Sequence, residues 1–354
     1  MKSIYAFAFF VSMTIGVFPV LSYGQDAIDF TIFKTPYRVS LATGAGVLLG
    51  QSEEIVYKNS NTDNKLSQLL WDLKPLVYIG TALSFSRANP LAGLGAVTDL
   101  SVKFGLPLLS GTMEDRDWQD SNPDLLTNFS SHDAYIQGAM LLDFSGGIAI
   151  PIVSRVVIKV LASFSYMRFS WIARDGYAQY NESGWNSSLP KTYSQGTGIS
   201  YDQEWLILSP GLGLFWPFYR SLNLDFRFFI SPLIFANDLD NHFFRDPNAF
   251  GDGDIFRAKK SERYLQFTDH TRDGIYLEPS LNLTFSPNPY LSLLFHGSWR
   301  YISGVRGDTY TLKTGPNTTT PFKDPNSAGV GYSAFDLGLF LKIALPLGRL
   351  SKKN

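Results

Sequence analysis

The chain has no cysteine at all. That excludes disulfides and thiolate metal sites. Charge is scarce too: only 17% of residues are Asp, Glu, Lys or Arg, and the formal net charge is −1. There is no electrostatic footprint for nucleic acid. Only four histidines occur, and His132, His270 and His296 show no metal-ligand spacing with His242. Long apolar runs are nearly missing. Beyond the N-terminus none reaches the roughly 18–20 residues that a spanning helix needs. The exception is Ile4–Leu21, preceded by Lys2 and followed by Ser22 and Gly24 at the small-residue positions of a cleavage site. This pattern predicts a signal peptide over residues 1–24 and an exported mature chain over 25–354.

What is abundant is aromatic: 28 Phe, 18 Tyr and 7 Trp. These residues recur in period-2 runs. Leu222, Leu224, Phe226, Phe228 and Ile230 share one face against Asn223, Asp225 and Arg227. Val156, Ile158, Val160, Ala162, Phe164 and Tyr166 oppose Lys159, Ser163 and Ser165 in the same way. The runs extend further than the roughly 5–6 residues usual in a soluble sandwich. Apolar-out, polar-in strands of about 9–11 residues behind an export signal predict an outer-membrane β-barrel. Short turn signals at Ser86–Pro90, Pro151–Arg155, Phe218–Ser221 and Ser286–Tyr290 alternate with long polar segments near Tyr57–Lys65, Asp115–His132, Gly176–Gln203, Asp238–Thr271 and Gly304–Gly329. The expected fold is therefore all-β, one antiparallel ten-stranded transmembrane barrel with long extracellular loops. Ten strands leave a lumen far narrower than that of the 16–18-stranded porins, which argues against a diffusion pore.

Two acidic clusters stand out. "MEDRDW" carries Asp115 and Asp117 two residues apart, and parity on the third strand points both inward near the outer end. Glu114 and Asp120 have the opposite parity and no predicted role. Parity on the first strand turns Glu54 inward as well. "NDLDNHF" carries Asp238, Asp240 and His242 at i, i+2 and i+4, past the upper end of the seventh strand. Strict alternation from Leu222 would turn this second cluster outward. Pro232 lies between, and proline in a strand marks a bulge. A one-residue slip there is predicted, since it reverses the facing. The cluster begins like a calcium loop but lacks the glycine at position 6 and the closing glutamate.

On these residues the chain resembles the omptin family of outer-membrane proteases. "MEDRDW" resembles the family's Met-x-Asp-x-Asp-Trp, and "DLDNH" its Asp-x-Asp-x-His. "SEEIVY" with "KLSQLLW" resembles its first hairpin, and "RFSWIAR" its fifth strand. The resemblance implies catalytic roles for Asp115, Asp117, Asp240 and His242, with water activated between Asp115 and His242. It implies that Glu54 and Asp238 receive a basic side chain at P1, the residue before the cleaved bond, and that Met113 forms an apolar wall. The implied partners are polypeptides bearing basic residues and outer-membrane lipid, with no metal or other cofactor. Asn128 stands where an acid for a basic P1′ residue is expected. The family's lipopolysaccharide site is partly present: Arg168 and Arg272 are in place, Phe164 and Tyr166 replace a Tyr and a Glu, and Glu204 replaces an Arg. A lipopolysaccharide requirement therefore does not follow. The alternative expectation is a catalytically weak barrel of the same kind, serving as a surface adhesin or binding protein.

Overall fold

The computed structural model describes residues 37–58, 63–153, 155–243, 265–313 and 322–347. The expected signal peptide lies outside the described residues. Ten antiparallel strands form the wall: β1 (Tyr37–Tyr57), β2 (Lys65–Arg87), β3 (Gly95–Gly105, continued by Leu109–Asp117), β4 (Asn128–Val153), β5 (Val156–Tyr180), β6 (Thr197–Tyr219), β7 (Leu222–Ser231, continued by Leu233–His242), β8 (Leu265–Arg272 and Ile275–Phe285), β9 (Leu291–Lys313) and β10 (Phe322–Leu347). Each pairs with its neighbours in chain order, and β1 closes the ring on β10. Closure satisfies the backbone in lipid and leaves no open edge.

The four predicted short turns fall at one end of this ring. The segments read as long loops are shorter than expected. Sheet continues through Asp115 and Asp117, through Tyr180, from Thr197, and through Asp238–His242. The reason is length. Strands of 23–26 residues such as β2, β4, β5 and β10 rise about 3.3 Å per residue. That is more than twice the 9–11 residues a tilted strand needs to cross the bilayer. The surplus stands above the membrane as wall rather than loop.

Outward-facing apolar side chains mark the lipid band. Leu41 and Leu49 on β1, Phe226, Phe228, Ile230, Leu233 and Phe235 on β7, and Phe335, Leu337 and Leu339 on β10 are exposed. Within the band the lumen is polar and internally paired. Arg300 holds Asp143 at 2.7 Å and Glu278 at 3.1 Å, while Arg227 holds Asp99 at 2.9 Å and Asp225 at 2.8 Å. A cavity of about 320 Å³ reaches up from the short-turn end between these residues. Higher up it is stopped by stacked rings. Trp71 lies 5.3 Å from Tyr201 and 5.8 Å from Trp171, and Phe169 lies 5.2 Å from Trp171 and 5.6 Å from Tyr332. Side chains from β2, β5, β6 and β10 thus meet across the lumen and plug it.

Near the top of the lipid band, five strands change inward parity. Buried positions pass from Leu73 to Leu76 on β2, Ile136 to Ala139 on β4, Ser231 to Ile234 on β7, Thr271 to Tyr276 on β8, and Ile302 to Val305 on β9. The slip predicted at Pro232 is among them. Against β6 the pairing runs Gly211 to Phe229 below it and Leu208 to Leu233 above, one residue out of step. On β8 the change uses Asp273 and Gly274, at φ 66° and 98°. A Cβ on Gly274 would sit 2.6 Å from the Ser303 carbonyl oxygen, so only glycine fits.

Candidate active site

The residues singled out by sequence lie above the lipid band and face inward. On β3, Met113, Asp115 and Asp117 are buried in alternation. Glu114 turns away and pairs with Arg116 at 2.5 Å. Asp120 receives the Asn122 amide at 2.8 Å in the following turn. Ser67 on β2 donates to Asp115 Oδ1 at 3.2 Å. Asn128, directly opposite Asp117 on β4, has its amide 3.5 Å from Asp117 Oδ2. The residue found in place of an expected acid is thus a weak donor to one of the paired aspartates.

On the far wall, β7 turns Asp238, Asp240 and His242 inward because of the Pro232 slip. His242 Nε2 is hydrogen-bonded to Asp240 Oδ2. Phe267 meets the imidazole edge-on at 5.6 Å. An apolar ring and a carboxylate therefore hold the imidazole between them. Asp240 Oδ1 is buried with no hydrogen-bond partner among the described residues. Tyr201 from the aromatic plug donates to Asp238 Oδ2 at 3.0 Å. Tyr201 in turn accepts from Gln203 at 2.9 Å, and Gln203 accepts from Trp205 at 2.8 Å. The floor of the groove is thereby tied to its wall.

Glu54 connects the two sides. Burial pushes its carboxyl well above the usual range, and the charges of Asp240, Asp238, Asp269 and Asp115 push it further. Its field partners include acids of both clusters, so β3 and β7 converge on one groove. The same causes raise Asp238, with burial first and Asp269 next. Two further residues were not singled out by sequence. Asp269 on β8 pairs in register with Asp238 and is fully buried. The alternation in "LQFTDHTR" carries that signal, but the polar composition from Asp238 to Thr271 predicts a loop. His132 on β4 has the inward parity of Ser130 and Ala134, and its Nδ1 rests on the Asp175 carbonyl. Burial holds its pKa below the ordinary value, and the nearby His242 adds to this.

For a metal, the described residues offer one all-carboxylate set, Glu54, Asp238 and Asp269. Oxygen donors of that kind suit calcium or magnesium rather than zinc. Arg168 and Arg272 face outward. Arg168 has Asp202 and Glu204 each at 3.6 Å, and Arg272 has Asp273 at 3.8 Å. Glu204, in place of an expected arginine, turns what would be a cationic patch into ion pairs.

The omptin family profile matches residues 35–345, most of the chain. The chain is an omptin. The plasminogen activator of Yersinia pestis is 28% identical over 317 residues, covering 85% of this chain and 88% of that protein. The outer membrane protease OmpP of Escherichia coli K12 is 26% identical, covering 88% of this chain and 91% of its own length. The crystal structure of the outer membrane protease OmpT from Escherichia coli shares the fold with a TM-score of 0.72 at 20% identity, covering 91% of this chain and 99% of that one. This omptin is accordingly an outer-membrane barrel, and its family places it among proteases.

Proposed function

We propose that this omptin is an endoprotease that cleaves exposed polypeptides after a basic residue, using water activated between a carboxylate and a histidine. The observation that carries the reading is the hydrogen-bonded Asp240–His242 pair facing into the groove that β3 lines with Asp115 and Asp117. A neutral imidazole is the side chain best matched to taking a proton near neutral pH. Asp240 fixes the ring's orientation and stabilises the imidazolium formed when the proton arrives. Asp115 accepts the second hydrogen of the attacking water and so aims its lone pair, with Asp117 beside it. His242 then returns the proton to the departing amine. Met113 gives an apolar side to the site.

The P1 side chain enters beside Glu54 and Asp238. A buried acid with an unsatisfied oxygen gains more from a charged partner than an exposed acid does. Among the described residues, Glu54 Oε2 and Asp238 Oδ1 are such atoms. The chain refolded in detergent, with and without lipopolysaccharide, is assayed on fluorogenic peptides containing Arg-Arg or Arg-Lys. Asp115→Asn and His242→Ala should each lower kcat roughly a thousandfold or more. Equal cleavage by wild type and variants refutes the assignment. A wild type inert on every basic peptide supports the binding-protein alternative.

A further inference from the structure

One buried acid on the groove wall has no part in the water-activating chemistry. Asp269 stands opposite Asp238 across the β7–β8 ladder. One carboxylate oxygen from each of Glu54, Asp238 and Asp269 lies within 4.8 Å of the others. All three side chains are buried. Glu54 Oε2, Asp238 Oδ1 and both oxygens of Asp269 have no hydrogen-bond donor among the described residues. Three acids from three elements thus converge, and each carries at least one buried oxygen with no donor among the described residues.

We propose that Asp269 is a specificity-determining residue of the P1 pocket, a third acid that makes the pocket select a guanidinium over an ammonium. This rests on the P1 assignment of the preceding section and deepens it. Three carboxylates from β1, β7 and β8 surround the entering group instead of meeting it on one side. A guanidinium brings five N–H donors in a planar fork, enough to reach all three acids at once. An ammonium brings three donors on a single atom and is the more costly to strip of water.

The charge pattern supports the same conclusion. Three buried acids without a cation repel one another and lose their hydration. Burial raises Asp269 to about 7, with the nearby Asp240 adding to it; the Thr309 hydroxyl, outside hydrogen-bond geometry, offsets part of the rise. Among the described residues, the groups facing Asp269 from its neighbours are Asp238 and Asp240 on β7, Glu54 on β1 and Thr309 on β9, with Tyr201 on β6 beneath Asp238. None is basic. An entering cation therefore displaces protons from the cluster and ends the mutual repulsion.

The test uses the full chain refolded in detergent, with agmatine as the guanidinium probe and n-butylamine as the ammonium probe. Binding is read by calorimetry for wild type, Asp269→Asn and Glu182→Gln, an exposed loop acid that serves as a charge control. Folding of each is verified by heat-dependent gel mobility. Asp269→Asn should weaken agmatine about tenfold or more and butylamine less, while Glu182→Gln changes neither. In cleavage the same variant should raise KM for Arg at P1 more than for Lys and leave kcat nearly unchanged. Equal agmatine affinity in wild type and Asp269→Asn overturns the proposal, as does an equal loss for both probes. A wild type that binds no agmatine overturns the pocket altogether. A wild type that binds agmatine through Asp269 yet cleaves without preference for basic P1 residues leaves the pocket standing and removes its P1 assignment.

Discussion

Removing the Asp269 charge should make the barrel more stable, and only above a definable pH. The side chain is fully buried, its two oxygens lack donors among the described residues, and its pKa is raised from 3.8 to about 7. A raised pKa means that the native state holds its proton after the unfolded state has released it. Stability from this group is therefore present in full below about 3.8 and erodes as pH climbs through about 7. At 1.36 kcal/mol per pH unit, the rise from 3.8 to about 7 amounts to roughly 4 kcal/mol at alkaline pH. Asp269→Asn removes that penalty. It also leaves a buried amide without partners, which costs about 1–3 kcal/mol. The net expectation is a variant more stable than wild type by roughly 1–3 kcal/mol at about pH 8, with no advantage or a deficit at about pH 4. Urea unfolding in detergent micelles, followed by tryptophan fluorescence, measures this, since Trp71, Trp171 and Trp205 lie buried beneath the site. The amide cost does not depend on pH, so the slope is the diagnostic. A stability difference that stays flat from about pH 4 to pH 8 would refute the picture of a strained acid cluster.

Glu54→Gln should erode the preference for a basic P1 residue, chiefly through KM; peptide libraries read this directly, and unchanged selectivity would remove the role. Asn128→Asp places a second carboxylate beside Asp117, and it should shift cleavage toward sites followed by a basic residue; an unaltered P1′ profile counts against the placement of Asn128 near that subsite. Trp71→Ala takes the central ring out of the plug. It should cost about 3–5 kcal/mol and admit ions to the lumen, so planar-bilayer recordings should show conductance that wild type lacks.

Most of the wall was legible because alternation is a local property. Asp115 and Asp117 could be turned inward from the residues before them because two slips cancel: past Gly105 the even Ser110 is buried and Leu109 exposed, and the shift between Leu109 and Gly111 returns the odd positions to the inside. Asp240 and His242 needed Pro232, a residue whose conformational demand is visible in sequence. Asp273 and Gly274 do the same for Asp269, but a glycine after an aspartate reads equally well as a turn. Height was the harder quantity. Polar outward residues such as Asn237 and His270 look like loop in sequence, whereas they cover a wall that has risen out of lipid. The aromatic plug was hidden for another reason. Trp71, Trp171 and Tyr201 are far apart in the chain, and nothing local says that rings on β2, β5 and β6 will stack.

The parity changes near the top of the lipid band also have a consequence for how such a chain can vary. Each of the five strands that carries one is two half-strands in different phase. The lower half answers to the bilayer, which demands apolar side chains outside. The upper half answers to the groove, which demands particular acids inside. With a slip between them, neither alternation constrains the other. A residue inserted or lost at Pro232 would leave Phe226, Phe228 and Ile230 in lipid and swing His242 out of the groove. Insertion into the barrel and catalysis would then part company: a correctly embedded barrel with an empty site, made by one codon.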